Sequence, residues 1–421
     1  MQEDIQVSLL ETLLEDFRTK LAETQSSILR WAAFPEADNL IKVAIGVRRS
    51  GKTYFLFQTI HHLLEQGIPL EAILYINFED DRLLPMDLKA MAELLESFYS
   101  LYPENYQRCC YLFLDEVQNV EDWQLVIRRF FDTKQVQIYL TGSSAKLLSK
   151  EIATSLRGRS LSCEIWPYDF NEYLLAHAIE KPKKPIGKMA VDVFSKHFMS
   201  FLKTGGFPAV QQLSESLHRE TLQNYVETVI HRDVVERHRV TNIALLKYLT
   251  SMLLKSFASL FSSNKFYNDV KSQGYQVAKD TIYNYINYLE DAYLIATVPL
   301  WTESLRRSQI TSKKIYVVDN GLIQANIFSQ VDNLGRLLEN QVYLDLRRQN
   351  KKIFYYQTAS GYEVDFLTVS TDGKQELIQV VWNSADPMTK MREERALQEA
   401  EKELNVSGKI IDKSSYLREF L

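Results

Sequence analysis

Cysteine is scarce: Cys109, Cys110 and Cys163 are the three in 421 residues. They are too few for a disulfide framework and lack metal-ligand spacing, so a cysteine-stapled scaffold is excluded and a reducing cytoplasm is the expected setting. Long apolar runs are missing too. No stretch approaches the ~18 apolar residues that a bilayer-spanning helix needs, and the first residues, Met-Gln-Glu-Asp-Ile, are acidic where a secretory leader is basic. Membrane insertion is therefore not expected. Nor is there an excess of positive charge. Lysine and arginine number 49 against 54 aspartates and glutamates, a net charge of −5. Any nucleic-acid contact is thereby confined to a local patch. Internal repeats and low-complexity tracts are also absent.

What remains is the composition of a globular protein, 46% hydrophobic and 24% charged. The length predicts about two to four domains, each large enough to bury a core. Residues 1–34 read as an amphipathic helix, with Leu9, Leu10, Leu13, Leu14, Phe17 and Leu21 at helical spacing. From 40 to about 167, strands and helices alternate as in a parallel α/β sheet, with strands at 40–45, 72–78, 110–114, 136–140 and 160–165. A lysine- and proline-rich run from Lys181 to Lys188 reads as a solvated linker.

The chemistry concentrates just after the first strand. Gly46-Val47-Arg48-Arg49-Ser50-Gly51-Lys52-Thr53 fits Gly-x-x-x-x-Gly-Lys-[Ser/Thr] between a strand and an apolar helix, the context of a phosphate-binding loop. Its glycines let the chain curl so that several N–H groups converge on one anion, and the helix N-terminus adds positive potential. Lys52 would reach the β- and γ-phosphates and Thr53 would ligate Mg²⁺, with the loop through Tyr54 as the nucleotide contact. Arg48 and Arg49 either pack outward or touch a partner or the nucleotide.

A second apolar strand, 111–114, ends in Asp115 and Glu116. Asp115 would hold Mg²⁺ and Glu116 would polarise the water that attacks the γ-phosphate. The next strand ends in Thr141-Gly142-Ser143-Ser144, where a hydroxyl, assigned to Ser143, could report on the γ-phosphate. Arg157 or Arg159 could serve as sensor or arginine finger, since a guanidinium neutralises charge on the transferring phosphoryl; surface ion pairing is the alternative.

With these motifs the chain resembles prokaryotic AAA-type ATPases that carry Gly-x-Arg-Arg-Ser-Gly-Lys-Thr loops, Leu-Asp-Glu-x-Gln strands and Thr-Gly-Ser-Ser tips. The resemblance continues through Leu156 to Arg159, Phe170-Asn-Glu-Tyr173, Gly205-Gly-Phe-Pro208 and Arg232-Asp-Val-Val-Glu236, covering nearly the whole length. It implies a P-loop fold whose Asp-Glu strand is separated from the P-loop strand, with ATP and Mg²⁺ as ligands. It further implies a winged-helix segment and a C-terminal domain of unknown function similar to PD-(D/E)XK nucleases. A ring or dimer is plausible on the same ground. The expected domains are then 1–180, 190–310 and 311–421.

Residues 279–293 form a helix with Ile282, Ile286, Leu289 and Tyr293 on one face, followed by a strand near 294–300, the helix-then-wing order. Residues 243–300 nevertheless carry five lysines and no arginine against four acidic residues, too little positive charge for phosphate-driven DNA binding. A protein partner is the favoured expectation there. In the tail, Glu339 on a helix and Asp365 on a strand match a metal-dependent nuclease. Its third position, however, reads Gln379-Val380-Val381 where Glu-x-Lys is needed. A nuclease-like fold that has lost its chemistry is expected, and Glu363 keeps the alternative of an active, ATP-gated DNA-processing enzyme. A scaffold that binds nucleotide but scarcely hydrolyses it is the other reading.

Overall fold

Five short apolar runs become the five strands of one parallel sheet: β1 Ile41–Ile45, β2 Ile73–Asn77, β3 Cys110–Asp115, β4 Val136–Gly142 and β5 Ser160–Glu164. In the computed structural model, which describes residues 2–142, 156, 158–182, 186–327, 333–382 and 387–420, their order is β2-β3-β4-β1-β5. Every neighbouring pair is parallel. The four strands β1 to β4 are buried almost throughout, as a sheet covered on both faces requires. β4 therefore lies between the P-loop strand and the Asp-Glu strand, as expected. This order sets the C-terminal tips of β1 and β3 on either side of β4 at one edge of the sheet, where ligands of open α/β sheets bind.

Helices cover the faces. α1 (Gln2–Thr24) buries Leu10, Leu13, Leu14 and Phe17, with the Phe17 ring 6.0 Å from Phe57 and 5.9 Å from Tyr75. α2 (Lys52–Glu65) buries Phe55, Leu56, Phe57, Ile60 and Leu63, each contributing about 1.5–3 kcal/mol. α3 (Leu88–Leu101) is capped by Asp87, whose carboxylate accepts from Ala90 N at 2.7 Å. α4 (Trp123–Thr133) turns Trp123, Val126, Ile127 and Phe130 inward.

These elements make up one compact unit, Met1–Ile165; Trp166–Leu421 form a second. The second begins with α5 (Phe170–Ala176), α6 (Lys188–Thr204) and α7 (Glu215–Thr228), the last continuing as a π-helical stretch, Val229–Glu236. After α8 (Ile243–Lys255) come β6 (Ser259–Phe261), α9 (Ser263–Ser272), α10 (Lys279–Asp291), β7 (Ile295–Val298), a short helix Leu305–Ile310 and β8 (Lys313–Val317). The three strands form an antiparallel sheet in the order β6-β8-β7. β8 lies beyond residue 311, so this sheet crosses the boundary expected there.

The tail follows as α11 (Asn320–Asn326), α12 (Leu334–Arg348), β9 (Lys352–Gln357), β10 (Glu363–Val369), β11 (Gln375–Val381), α13 (Pro387–Leu404), β12 (Gly408–Asp412) and α14 (Lys413–Arg418). Its sheet runs β12-β11-β10-β9, with β9, β10 and β11 antiparallel and β12 parallel to β11. The parallel pair needs a crossover, and α13 supplies it. Val364, Leu367 and Leu377 of the sheet pack on Ala396, Leu397 and Ala400 of that helix. Among the described residues no helix is long and apolar enough to cross a membrane.

Candidate functional site

The loop from Gly46 to Gly51 joins β1 to α2 through left-handed backbone. Gly46 has φ +147° and Gly51 φ +98°, while Arg49 takes φ +66°. A Cβ on Gly46 would fall 2.2 Å from the Ile165 carbonyl oxygen, so only glycine fits beneath the loop. α2 starts at Lys52, directly after the loop, so the N–H groups of its first turn have no partner within the helix. Lys52 is buried; its Nζ donates to the carbonyls of Gly46 and Val47, each at 3.2 Å, and lies 3.9 Å from Glu116 Oε1. Ser50 Oγ is buried without a hydrogen-bond partner, an orphaned polar atom in the loop that would hold phosphate.

Arg30, which sequence reasoning missed, braces the loop from behind. Its guanidinium is buried and donates to the Ser50 carbonyl at 2.8 Å. Gln58 of α2 clamps the Arg30 backbone on both sides, at 2.8 and 3.0 Å. Of the other loop residues, Val47 is buried and Tyr54 exposed, and Arg48 reaches Glu79 at 3.1 Å.

Across β4, Asp115 ends β3 and is buried with three hydroxyl donors. Thr53 Oγ1 donates to Oδ2 at 2.7 Å, Tyr75 Oη donates to the same oxygen at 2.9 Å, and Thr141 Oγ1 donates to Oδ1. Burial, then the Glu116 charge, pushes the Asp115 carboxyl above its ordinary range, and the three hydroxyls pull against that. Burial and the Asp115 carboxylate likewise push the Tyr75 phenol well up, so it stays a donor. Glu116 follows in the left-handed region at φ +52°, where a non-glycine residue costs about 1–3 kcal/mol. Its amide donates to Thr141 Oγ1 at 2.9 Å and its carboxylate accepts from Gln118. Thr141 thus ties Asp115 and Glu116 to the β4 tip. β2 pairs Asn77 with Asp115, and period-2 alternation then puts Tyr75 on the Asp115 side of the sheet; that register is not written in the sequence.

The donor set fits a magnesium–triphosphate. A hydroxyl and a carboxylate 2.7 Å apart suit a hard cation, and an ammonium with a helix N-terminus suits an anionic phosphate. Ser143 and Arg157 lie outside the described residues. Arg159 is not brought to this edge. Its carbonyl accepts from Ile41 N at the start of β1, and its guanidinium pairs with Asp132 near the end of α4. Both contacts belong to the N-terminal edge of the sheet, because β5 is parallel to β1 and Arg159 only introduces it.

A family model described as an AAA domain matches residues 38–174. Two more, each described as a domain of unknown function, match 195–331 (DUF8612) and 334–416 (DUF4143). An uncharacterized protein of Methanocaldococcus jannaschii is 40% identical over 381 residues, 89% of this chain and 82% of its own. Another, from Haemophilus influenzae, is 30% identical over 340 residues, 80% of this chain and 82% of its own. The chain belongs to this family of AAA-domain proteins. Among solved structures, the AAA protein is similar to a Walker-type ATPase of Pyrococcus abyssi, at TM-score 0.42 and 12% identity over 73% of this chain and 95% of that one. It is also similar to the ORC1 protein of Aeropyrum pernix in complex with DNA, at TM-score 0.31 and 14% identity over 80% and 94%.

In the second unit of this AAA protein, Glu339 of α12 and Asp365 of β10 do meet, but around a lysine. Lys314 Nζ, from β8, lies 3.0 Å from Glu339 Oε1, 2.8 Å from Asp365 Oδ1 and 2.8 Å from Glu363 Oε1. Tyr316 Oη donates to Glu339 at 2.7 Å. Burial, then the charge of Asp365, lifts Glu339 to about 7. Burial alone would lower Lys314, yet the surrounding acids hold it well above its ordinary value. Gln379 is engaged as an amide: its oxygen accepts from Asp365 N at 3.1 Å and its nitrogen donates to Glu393 at 2.7 Å. Lys314 was not legible in the sequence: it lies 25 residues before Glu339 on an element not foreseen.

Proposed function

We propose that this protein binds ATP with Mg²⁺ at the Gly46–Thr53 loop, hydrolyses it, and uses the cycle to rearrange its C-terminal modules for a protein partner. The observation that carries this reading is the Thr53–Asp115 contact at 2.7 Å, which joins the phosphate loop to the acidic strand tip across β4. Lys52, which donates to the Gly46 and Val47 carbonyls, would meet the β- and γ-phosphates of a bound nucleotide. Thr53 and Asp115 would hold Mg²⁺, which would neutralise charge on the phosphoryl oxygens. Glu116 orients the attacking water and accepts its proton, and Thr141 keeps the Glu116 backbone in place.

The Glu116→Gln protein should retain nucleotide binding while turnover falls at least ~100-fold, the usual range for a lost general base. Steady-state phosphate release measured beside nucleotide affinity checks this. Turnover at the native rate in Glu116→Gln removes Glu116 from the mechanism, and negligible turnover in the native protein favours the nucleotide-binding scaffold instead.

The segment 243–317 supports a winged-helix reading through its order of helix, strand, two helices and two strands, with a short helix, Leu305–Ile310, before the last strand. A protein partner is favoured over DNA. Of the α10 tyrosines, Tyr285 is buried and Tyr288 stacks on His238 at 3.6 Å, leaving Tyr283 as the exposed one. Cleavage by the tail is not proposed, because its carboxylates already surround an ammonium and Gln379 is held by neighbours.

A further inference from the structure

The cluster around Lys314 has the composition of a hard-cation site with its cation already in place. Three carboxylates from two elements, Glu339 on α12 with Glu363 and Asp365 on β10, converge on a point closed to solvent on most sides. Lys314 and Glu339 are buried, while Glu363 keeps about a third of its side chain exposed, 37%, and so marks the one wet side. Three such carboxylates cannot be desolvated together without a compensating positive charge. That charge arrives from a different sheet. Lys314 is carried by β8, between β6 and β7, and its ammonium touches one oxygen of each acid at 2.8–3.0 Å. The remaining lone pairs are also served: Val380 N donates to Asp365 Oδ2 at 2.9 Å, and Tyr316 donates to Glu339.

A divalent cation in the same place would sit closer, about 2.0–2.6 Å from its oxygens. With the ammonium present the acids stand wider than that. Accordingly, no group of three or more His, Cys, Asp or Glu among the described residues is arranged to hold a metal ion. The carboxylates need to close by only about half an ångström to become metal ligands, and the space they would close upon is the end of a lysine side chain.

We propose that Lys314 is a tethered substitute for a divalent cation: the native tail binds no metal at Glu339, Glu363 and Asp365, and removing the ammonium opens a hard-cation site there. Lys314 also pins β8 to the tail sheet, so the same charge that excludes metal joins the three-stranded sheet to α12 and β10.

Mn²⁺ bound to the full chain, counted by electron paramagnetic resonance without nucleotide, tests this. In the native background, Asp365→Asn should leave the number of bound ions unchanged. Lys314→Ala should gain one ion and a melting temperature that rises with Mn²⁺, and Lys314→Ala/Asp365→Asn should lose both gains. An ion lost from the native protein on Asp365→Asn overturns the proposal, as does a folded Lys314→Ala that gains none. Should Lys314→Ala fail to fold without metal, refolding in roughly millimolar Mn²⁺ is expected to recover it, by the linkage of binding to folding. Failure of that rescue also counts against the proposal.

Discussion

Asp115 carries the heaviest electrostatic load in the first unit. It is buried beside Glu116, and among the described residues its side-chain hydrogen-bond donors are the hydroxyls of Thr53, Tyr75 and Thr141. The sign of the resulting pH dependence follows from its raised pKa. The folded protein holds the proton more tightly than the unfolded chain does. Stability from this group is therefore complete below the ordinary carboxylate range and is lost as pH rises through the raised value. Cation binding runs the other way, since Mg²⁺ needs the carboxylate, so affinity for Mg–nucleotide should strengthen as Asp115 ionises. Tyr75→Phe removes one donor to the ionised form. It should weaken Mg–nucleotide binding at neutral pH by about 1 kcal/mol, roughly fivefold, and move the rise in affinity to higher pH. Titrations of the variant and the native protein across the acid range check this; coincident profiles would leave Tyr75 without a role at the site. The phosphate loop and the Asp115-Glu116 pair were legible because their residues are contiguous. Tyr75, Thr141 and Arg30 were not, because each reaches the site through space from another element.

Among the elements, the strands of the first sheet were found to within about two residues, since buried parallel strands read as unbroken apolar runs. β6 and β8 were missed for opposite reasons. β6 has three residues, too few for any period, and β8 opens on Lys313-Lys314, which reads as loop. The Gly205-Gly206 break after α6 now has its physical cause. Asp319, the N-cap of α11, accepts from Gly206 N at 2.6 Å and from Gly321 N at 2.8 Å. A Cβ on Gly205, at φ +74°, would lie 2.0 Å from an Asp319 oxygen, and one on Gly206 would lie 2.2 Å from the Tyr168 carbonyl. Gly205→Ala should cost about 2–4 kcal/mol through strain and the displaced carboxylate. Gly187→Ala, where a Cβ meets nothing within 4 Å, should stay within about 0.5 kcal/mol. Urea unfolding of the two variants separates them, and equal midpoints would mean that the Asp319 contact is not structural.

For the whole molecule, two chemistries of very different standing share one chain. The first unit places an ammonium, a helix N-terminus, a hydroxyl and two carboxylates at one sheet edge, the parts that phosphoryl transfer to water needs. The second unit gathers carboxylates of the kind that a nuclease uses and fills their centre with Lys314. The sequence showed an amide at Gln379 and an apolar side chain at Val381 where such a site needs a carboxylate and a lysine, but not Lys314, because that lysine comes from an unforeseen strand. The three-domain division followed the family resemblance, and the β6-β8-β7 sheet, built from both sides of residue 311, was not visible in the motifs that carry that resemblance.

The proposed function requires triphosphate and magnesium to be held together by Lys52, Thr53 and Asp115. Calorimetric titration of the full chain with a non-hydrolysable ATP analogue and Mg²⁺ tests that in one measurement. Saturable binding at a single site per native chain, abolished in folded Lys52→Ala, is the predicted result. No binding to the folded native chain, or equal binding to Lys52→Ala, would contradict it.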